Sequence, residues 1–146
     1  MSTASLIVPC PACDALNRLP GARLADAPSC GKCHQPIFAA APLALDARRF
    51  EIHAGRGELP LLVDFWAPWC GPCRSMAPAF EAAAALLEPG MRLAKVDTEA
   101  EPSLAARFGI RSIPTLVLIR GGREVARQAG AMDTGGIVQW ARSQAR

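Results

Sequence analysis

All six cysteines of this 146-residue chain stand in Cys-x-x-Cys pairs: Cys10/Cys13, Cys30/Cys33 and Cys70/Cys73. Two thiols at this spacing can share a metal ion or open and close a disulfide. The first two pairs read C-x2-C-x16-C-x2-C, the spacing of a tetrahedral all-cysteine zinc site. Two intervening residues let a tight turn aim both sulfurs at one ion, and Gly31 suits such a turn through its tolerance of positive φ. Two other readings exist for these residues. The pairs could be redox-active disulfides, and Cys30-Gly31-Lys32-Cys33-His34 spells the C-x-x-C-H string of haem attachment. Zinc is favoured, because Cys10 and Cys13 complete a set of four and no second axial ligand lies near His34. His34 is then a solvent-facing bystander.

The third pair has different surroundings. Leu61–Ala67 is an apolar run with one carboxylate, Asp64, bounded by Pro60 and Pro68, and it reads as a buried strand. Trp69-Cys70-Gly71-Pro72-Cys73 follows, and Met76, Ala77, Phe80, Ala83, Ala84 and Leu87 then repeat at helical spacing. A cysteine between strand end and helix start sits where unpaired N–H groups and the helix dipole favour negative charge, which lowers its pKa. Cys70 is therefore the expected attacking thiolate, and Cys73, one turn inside, the resolving thiol. Pro72 costs little in the first turn, while Pro78 is expected to kink the helix. Asp64 inside an apolar strand is expected to be desolvated, its pKa raised and suited to proton transfer near neutral pH. Arg74 is expected to face solvent and modestly favour the thiolate.

The positioning elements divide the chain in two. Residues 1–38 are rich in proline and glycine, show no sustained period and are too few to fold without a metal or disulfide. Residues 39–42 read as a linker, and residues 39–146 are long enough for a domain of their own. Strands are expected near 61–67, 91–97, 115–120 and 123–129, with a short one near 42–45; helices are expected near 47–54, 71–88, 101–108 and 134–144. The fold class is α/β, a mixed sheet between helices. A net charge of +3 is too weak to argue for nucleic acid, and no apolar stretch approaches the roughly 20 residues a spanning helix needs. Residues 1–9 lack the basic and apolar regions of a secretory signal, so a reducing, cytoplasmic setting is expected.

Residues 63–81, VDFWAPWCGPCRSMAPAFE, resemble the active-site segment of the thioredoxin family. The likeness extends to Leu93–Asp97, to Phe108–Thr115, and to Gly121-Gly122 and Gly130-Ala131. The four-cysteine extension is similar to that of the zinc-containing second thioredoxin type. This resemblance implies a thioredoxin fold preceded by a small zinc-ribbon-like module holding one structural zinc through Cys10, Cys13, Cys30 and Cys33. It implies a redox-active Cys70–Cys73 disulfide, with Asp64 as the carboxylate behind it and Lys95 tuning that carboxylate. Pro114 resembles the family's cis-proline, which would expose the Ile113 backbone for strand-like pairing with substrate. Trp69, Gly71, Pro72, Ile113, Pro114, Gly130 and Ala131 would form the apolar substrate platform.

The activity implied is reduction of protein disulfides, with electrons from an NADPH-dependent thioredoxin reductase and no nucleotide bound to this chain. A monomer is expected, with no nucleic-acid or membrane partner. Two rival functions differ in their predictions. An oxidase or isomerase would refuse electrons from that reductase, and a zinc-dependent binding module or holdase would survive loss of Cys70. The zinc site would be structural or, alternatively, would respond to oxidants by releasing metal.

Overall fold

The computed structural model describes residues 4–145. Ser5–Pro9 (β1) and Leu16–Pro20 (β2) pair antiparallel, from Ser5 opposite Pro20 to Pro9 opposite Leu16. This hairpin was not legible from periodicity. Its prolines stand at the strand ends, which tolerate a missing ladder donor. The first cysteine pair lies in its connecting loop, and the second follows a single 3₁₀ turn at Gly21–Arg23. Val8, Cys10, Cys30 and Ile37 form a small core of their own, completed by Leu59 from the following domain.

The main sheet comprises Leu43–Ala44 (β3), Leu61–Trp66 (β4), Arg92–Asp97 (β5), Thr115–Arg120 (β6) and Arg123–Ala129 (β7). Its order is β3-β5-β4-β6-β7; β3 and β4 run parallel to β5, while β6 runs antiparallel to both β4 and β7. β4 is central, which explains its near-continuous apolar sequence. Side chains alternate across it. Leu61, Val63 and Phe65 join Phe50 and Leu104 on one face, while Leu62 joins Met76, Phe80 and Ile137 on the other. The helices Gly71–Leu87 (α2) and Thr134–Gln144 (α4) cover that second face, and Ala47–Phe50 (α1) and Pro102–Arg107 (α3) cover the first. α2 continues through Pro78 as one helix.

The helix expected over 47–54 has a different form. Only Ala47–Phe50 is α-helical, and Glu51–Arg56 widens into a π-helix closed by Gly57 N–H donating to the Ile52 carbonyl at 3.1 Å. Periodicity cannot separate an α-turn from a wider one. Gly57 is required here, since a Cβ would lie 2.5 Å from the His53 carbonyl oxygen.

The cysteine-bearing module is fastened to the sheet by two charged clusters. Arg92, buried at the start of β5, donates to the carbonyls of Ile37 at 2.9 Å and Pro9 at 3.2 Å, and pairs with Glu88 at 3.1 Å. Glu88 also accepts from Ala40 N–H at 2.8 Å. At the other cluster, Asp14 receives Arg49 at 2.9 Å and His53 Nε2 at 2.9 Å. Against the cost of its own burial, the hydrogen bonds from Arg49 and His53 hold the Asp14 carboxyl below the usual carboxylate range.

Candidate active site

Cys70 occupies the N-cap of α2, its sulfur accepting from Cys73 N–H at 3.2 Å. The two residues form a disulfide with Cα atoms 5.2 Å apart. Both cysteines are buried, Cys70 at 5% and Cys73 at 2% exposure, and Gly71 and Pro72 between them are exposed. Reduction of this bond places the Cys70 sulfur at a helix N-terminus, where the unpaired N–H groups and dipole stabilise a thiolate. Cys73 lies inside the first turn, buried with Ala67, and Trp66 and Ile113 pack against this cluster.

Ile113 arrives from the loop before β6. Its carbonyl oxygen lies 3.8 Å from Cys70 Sγ, and the Ile113–Pro114 bond is cis. Gly130 N–H donates to the Pro114 carbonyl at 2.9 Å, which brings the end of β7 to the same edge; its φ of 98° demands glycine. Ala131 follows it, exposed. Trp69, 64% exposed, lines a pocket of about 190 Å³ with Ile113, Ile110, Thr98, Arg111 and Ser112. Sequence reasoning passed over Ile110, Arg111 and Ser112 as lining residues, although they sit just before the Ile-Pro pair. The structure thus gathers Trp69, Cys70, Gly71, Pro72, Ile113, Pro114, Gly130 and Ala131 at one edge of the sheet, with Cys70 and Pro114 buried.

Asp64 is fully buried on β4, with neither carboxyl oxygen hydrogen-bonded. A cap on a neighbouring backbone group is therefore not its role. Burial pushes its pKa up to about 7, with Lys95 opposing the shift. Lys95 is its register partner on β5, yet the ammonium sits 4.3 Å from the Trp66 ring centroid. The sign of the resulting pH dependence follows from proton uptake. Between about 4 and about 7 the folded protein keeps a proton that the unfolded chain has lost, so stability falls as pH rises through that window. A carboxyl held some three pH units high corresponds to about 4 kcal/mol of instability above pH 7. Asp64→Asn is expected to remove this loss, raising stability at pH 8 by a few kcal/mol in urea unfolding while leaving stability at pH 4 nearly unchanged.

The four remaining cysteines converge. Their sulfurs all lie within 4.8 Å of one another, with Cys10–Cys33 and Cys13–Cys30 both at 3.6 Å. Sulfurs about 2.3 Å from a zinc ion at tetrahedral angles are about 3.8 Å apart, so the cluster fits that ion. The two turns repeat one design. Asp14 N–H donates to the Cys10 carbonyl and His34 N–H to the Cys30 carbonyl, each at 2.9 Å. The positive φ expected at Gly31 falls instead on Asp14 (65°) and His34 (66°), residue types enriched in that region. His34 is exposed and stands outside the sulfur cluster. Amide N–H groups of Ala12 and Lys32 point at Cys10 Sγ and Cys30 Sγ, both at 3.3 Å, and Asn17 Nδ2 reaches Cys30 Sγ at 3.5 Å. Such donors suit thiolate ligands.

Comparison with known proteins agrees with this geometry. A family model described as Thioredoxin matches residues 41–143, and one described as Thioredoxin 2, N-terminal, matches residues 9–35. Thioredoxin C-3 of Corynebacterium nephridii is 47% identical over 135 residues, covering 92% of both chains. The chloroplastic M-type thioredoxin of Chlamydomonas reinhardtii is 38% identical over 81% of this chain and 92% of its own. Among solved structures, a mutant thioredoxin from Halobacterium salinarum superposes with a TM-score of 0.65 at 29% identity, covering 73% of this chain and 93% of that one. Among the described residues no helix is long and apolar enough to cross a membrane. With its helix-capping disulfide beside the Ile113–Pro114 edge, this chain belongs to the thioredoxin family and is a thiol–disulfide oxidoreductase of the protein-disulfide-reductase type.

Proposed function

We propose that this protein is a cytoplasmic reductant of protein disulfides, recharged by an NADPH-dependent thioredoxin reductase and stabilised by one zinc ion. The observation that carries this reading is the placement of Cys70 at the N-cap of α2, next to the Ile113 carbonyl and before a buried Cys73. In the proposed cycle, the Cys70 thiolate attacks one substrate sulfur, forming a mixed disulfide and expelling the other as thiolate. Cys73 then loses its proton to Asp64, directly or through water, and its sulfur attacks Cys70. The Cys70–Cys73 disulfide closes and the second substrate thiol leaves, so two electrons have passed to the substrate. The buried, unpartnered state of Asp64 supports this proton-accepting role, with the Lys95 charge beside it as the tuning group. Trp69, Gly71, Pro72, Ile113, Pro114, Gly130 and Ala131 would meet the substrate chain.

The division into a module at 1–38 and a catalytic domain at 39–146 completes the proposal. Cys10, Cys13, Cys30 and Cys33 would hold the zinc, which when bound cross-links the two cysteine turns. The buried Arg92 contacts and the part-buried Asp14 contacts favour a structural role for the module, because they seat it against the catalytic domain. The test is insulin reduction coupled to NADPH oxidation through thioredoxin reductase. NADPH is expected to be consumed in step with insulin disulfides reduced. Failure to accept electrons from that reductase, together with a high reduction potential, would instead assign the chain to the oxidases or isomerases.

A further inference from the structure

Lys95 and Asp64 are direct register partners on adjacent parallel strands, a distance a lysine side chain spans easily. An ion pair between them would satisfy a buried carboxylate, yet both Asp64 oxygens lack a partner. The ammonium lies instead on the ring of Trp66, two residues along β4 on the same face, 4.3 Å from its centroid. The backbone that carries this ring is itself fixed. Thr98 donates to the Trp66 carbonyl through both its N–H, at 2.8 Å, and its hydroxyl, at 3.0 Å, and Trp66 packs against the Cys70/Cys73 cluster.

We propose that Trp66 is a positioning residue for disulfide exchange: its ring holds the Lys95 ammonium off the Asp64 carboxyl, leaving that carboxyl unpaired and able to exchange a proton. The proposal rests on the proton-accepting role of Asp64 given above. A cation over an indole face is attracted by the negative face of the ring, enough to decide between nearby positions of one ammonium. A carboxylate paired directly with a cation titrates about 1–3 pH units lower, which would leave Asp64 ionised throughout the neutral range. The other charged groups are accounted for. Asp46, Arg49, Asp97 and Glu101 share with Lys95 and Trp66 an open groove of about 620 Å³. Leu116 of β6 faces Asp64 from the other side. The covering helix α2 offers Cys70 and Cys73 in its first turn, while its Arg74 and Glu81 are exposed. In the oxidised protein those cysteines do not titrate, so the Asp64 midpoint can be read without them.

The experiment follows the Asp64 carboxyl carbon by NMR against pH in the oxidised, zinc-loaded, full-length protein. Trp66→Leu is expected to lower the Asp64 midpoint by about one pH unit, as Lys95 is released onto the carboxylate. Trp66→Phe, which keeps a weaker ring, is expected to lower it by less than half as much. Lys95→Met alone should raise the midpoint, and adding Trp66→Leu to it should cause no further movement. An unchanged or raised midpoint in Trp66→Leu overturns the proposal. So does a fall that persists without Lys95, since water entering beside Asp64 would then be the cause. If Trp66→Leu does not fold, the midpoint shift caused by Trp66→Phe is compared in the Lys95 and Lys95→Met backgrounds, and equal shifts in the two overturn the clamp. Midpoints that move as stated while the rate of reduction ignores pH would support the clamp and overturn the proton-accepting role.

Discussion

Cys70→Ser is expected to lower the rate of insulin reduction by at least about 10³-fold, to the level of the uncatalysed reaction with the same reductant. The reason is chemical before it is structural. The α2 N-terminus favours a negative charge at the Cys70 position, but a serine hydroxyl does not ionise there and forms no disulfide. Serine is also a good N-cap, so the helix keeps its first hydrogen bond and the fold is expected to survive. A thermal unfolding midpoint close to that of the reduced wild type would show that the lost rate reflects lost chemistry. Retention of function by Cys70→Ser, with loss on Cys30→Ser, would favour the zinc-dependent binding module instead.

Removing zinc from the reduced protein is expected to unfold the cysteine-bearing segment while the main sheet persists. Structural zinc contributes on the order of 10–16 kcal/mol to the folding of zinc-finger peptides near neutral pH. Among the described residues, the module's own buried residues amount to Val8, Pro9, Cys10, Cys30 and Ile37, and two of those are proposed zinc ligands. No comparable apolar core replaces the metal. The catalytic domain has two larger clusters, one on each face of its sheet, and these do not include the module. Hydrogen exchange after chelation should therefore lose protection across the β1–β2 hairpin and retain it in β4, β5 and β6. The thermal midpoint of the catalytic domain should also fall. Arg92 is left buried without the Pro9 and Ile37 carbonyls, and His53 without Asp14. Acid should mimic chelation, because protons compete with the metal for thiolates. Unchanged protection of the hairpin in metal-free protein would contradict the structural role.

What the sequence disclosed follows from the range over which each signal acts. W-C-G-P-C and the C-x2-C spacings are local patterns, and a turn or helix start converts each into geometry without help from distant residues. The apolar run of β4 and the helical repeat in α2 are likewise local, so their bounds came within a residue or two. The module's hairpin was hidden by its shortness and its terminal prolines. The contacts that seat the module were hidden for another reason. Asp14 meets His53 across 39 positions and Arg92 meets Pro9 across 83, and Asp14 and Arg92 alone read as ordinary surface charges. The Lys95–Trp66 contact likewise depends on strand register, which a single strand's pattern does not contain.

The central claim is that Cys70 and Cys73 perform the exchange while the other four cysteines hold zinc. The most direct measurement is to trap the intermediate. Reduced, zinc-loaded Cys73→Ser protein is mixed with insulin, free thiols are alkylated, and the adduct is mapped by mass spectrometry alongside a zinc assay. The account predicts a stable mixed disulfide on Cys70 alone, with one zinc retained per chain and no modification at Cys10, Cys13, Cys30 or Cys33. Insulin linked to any of those four, or the absence of a Cys70 adduct, would contradict it.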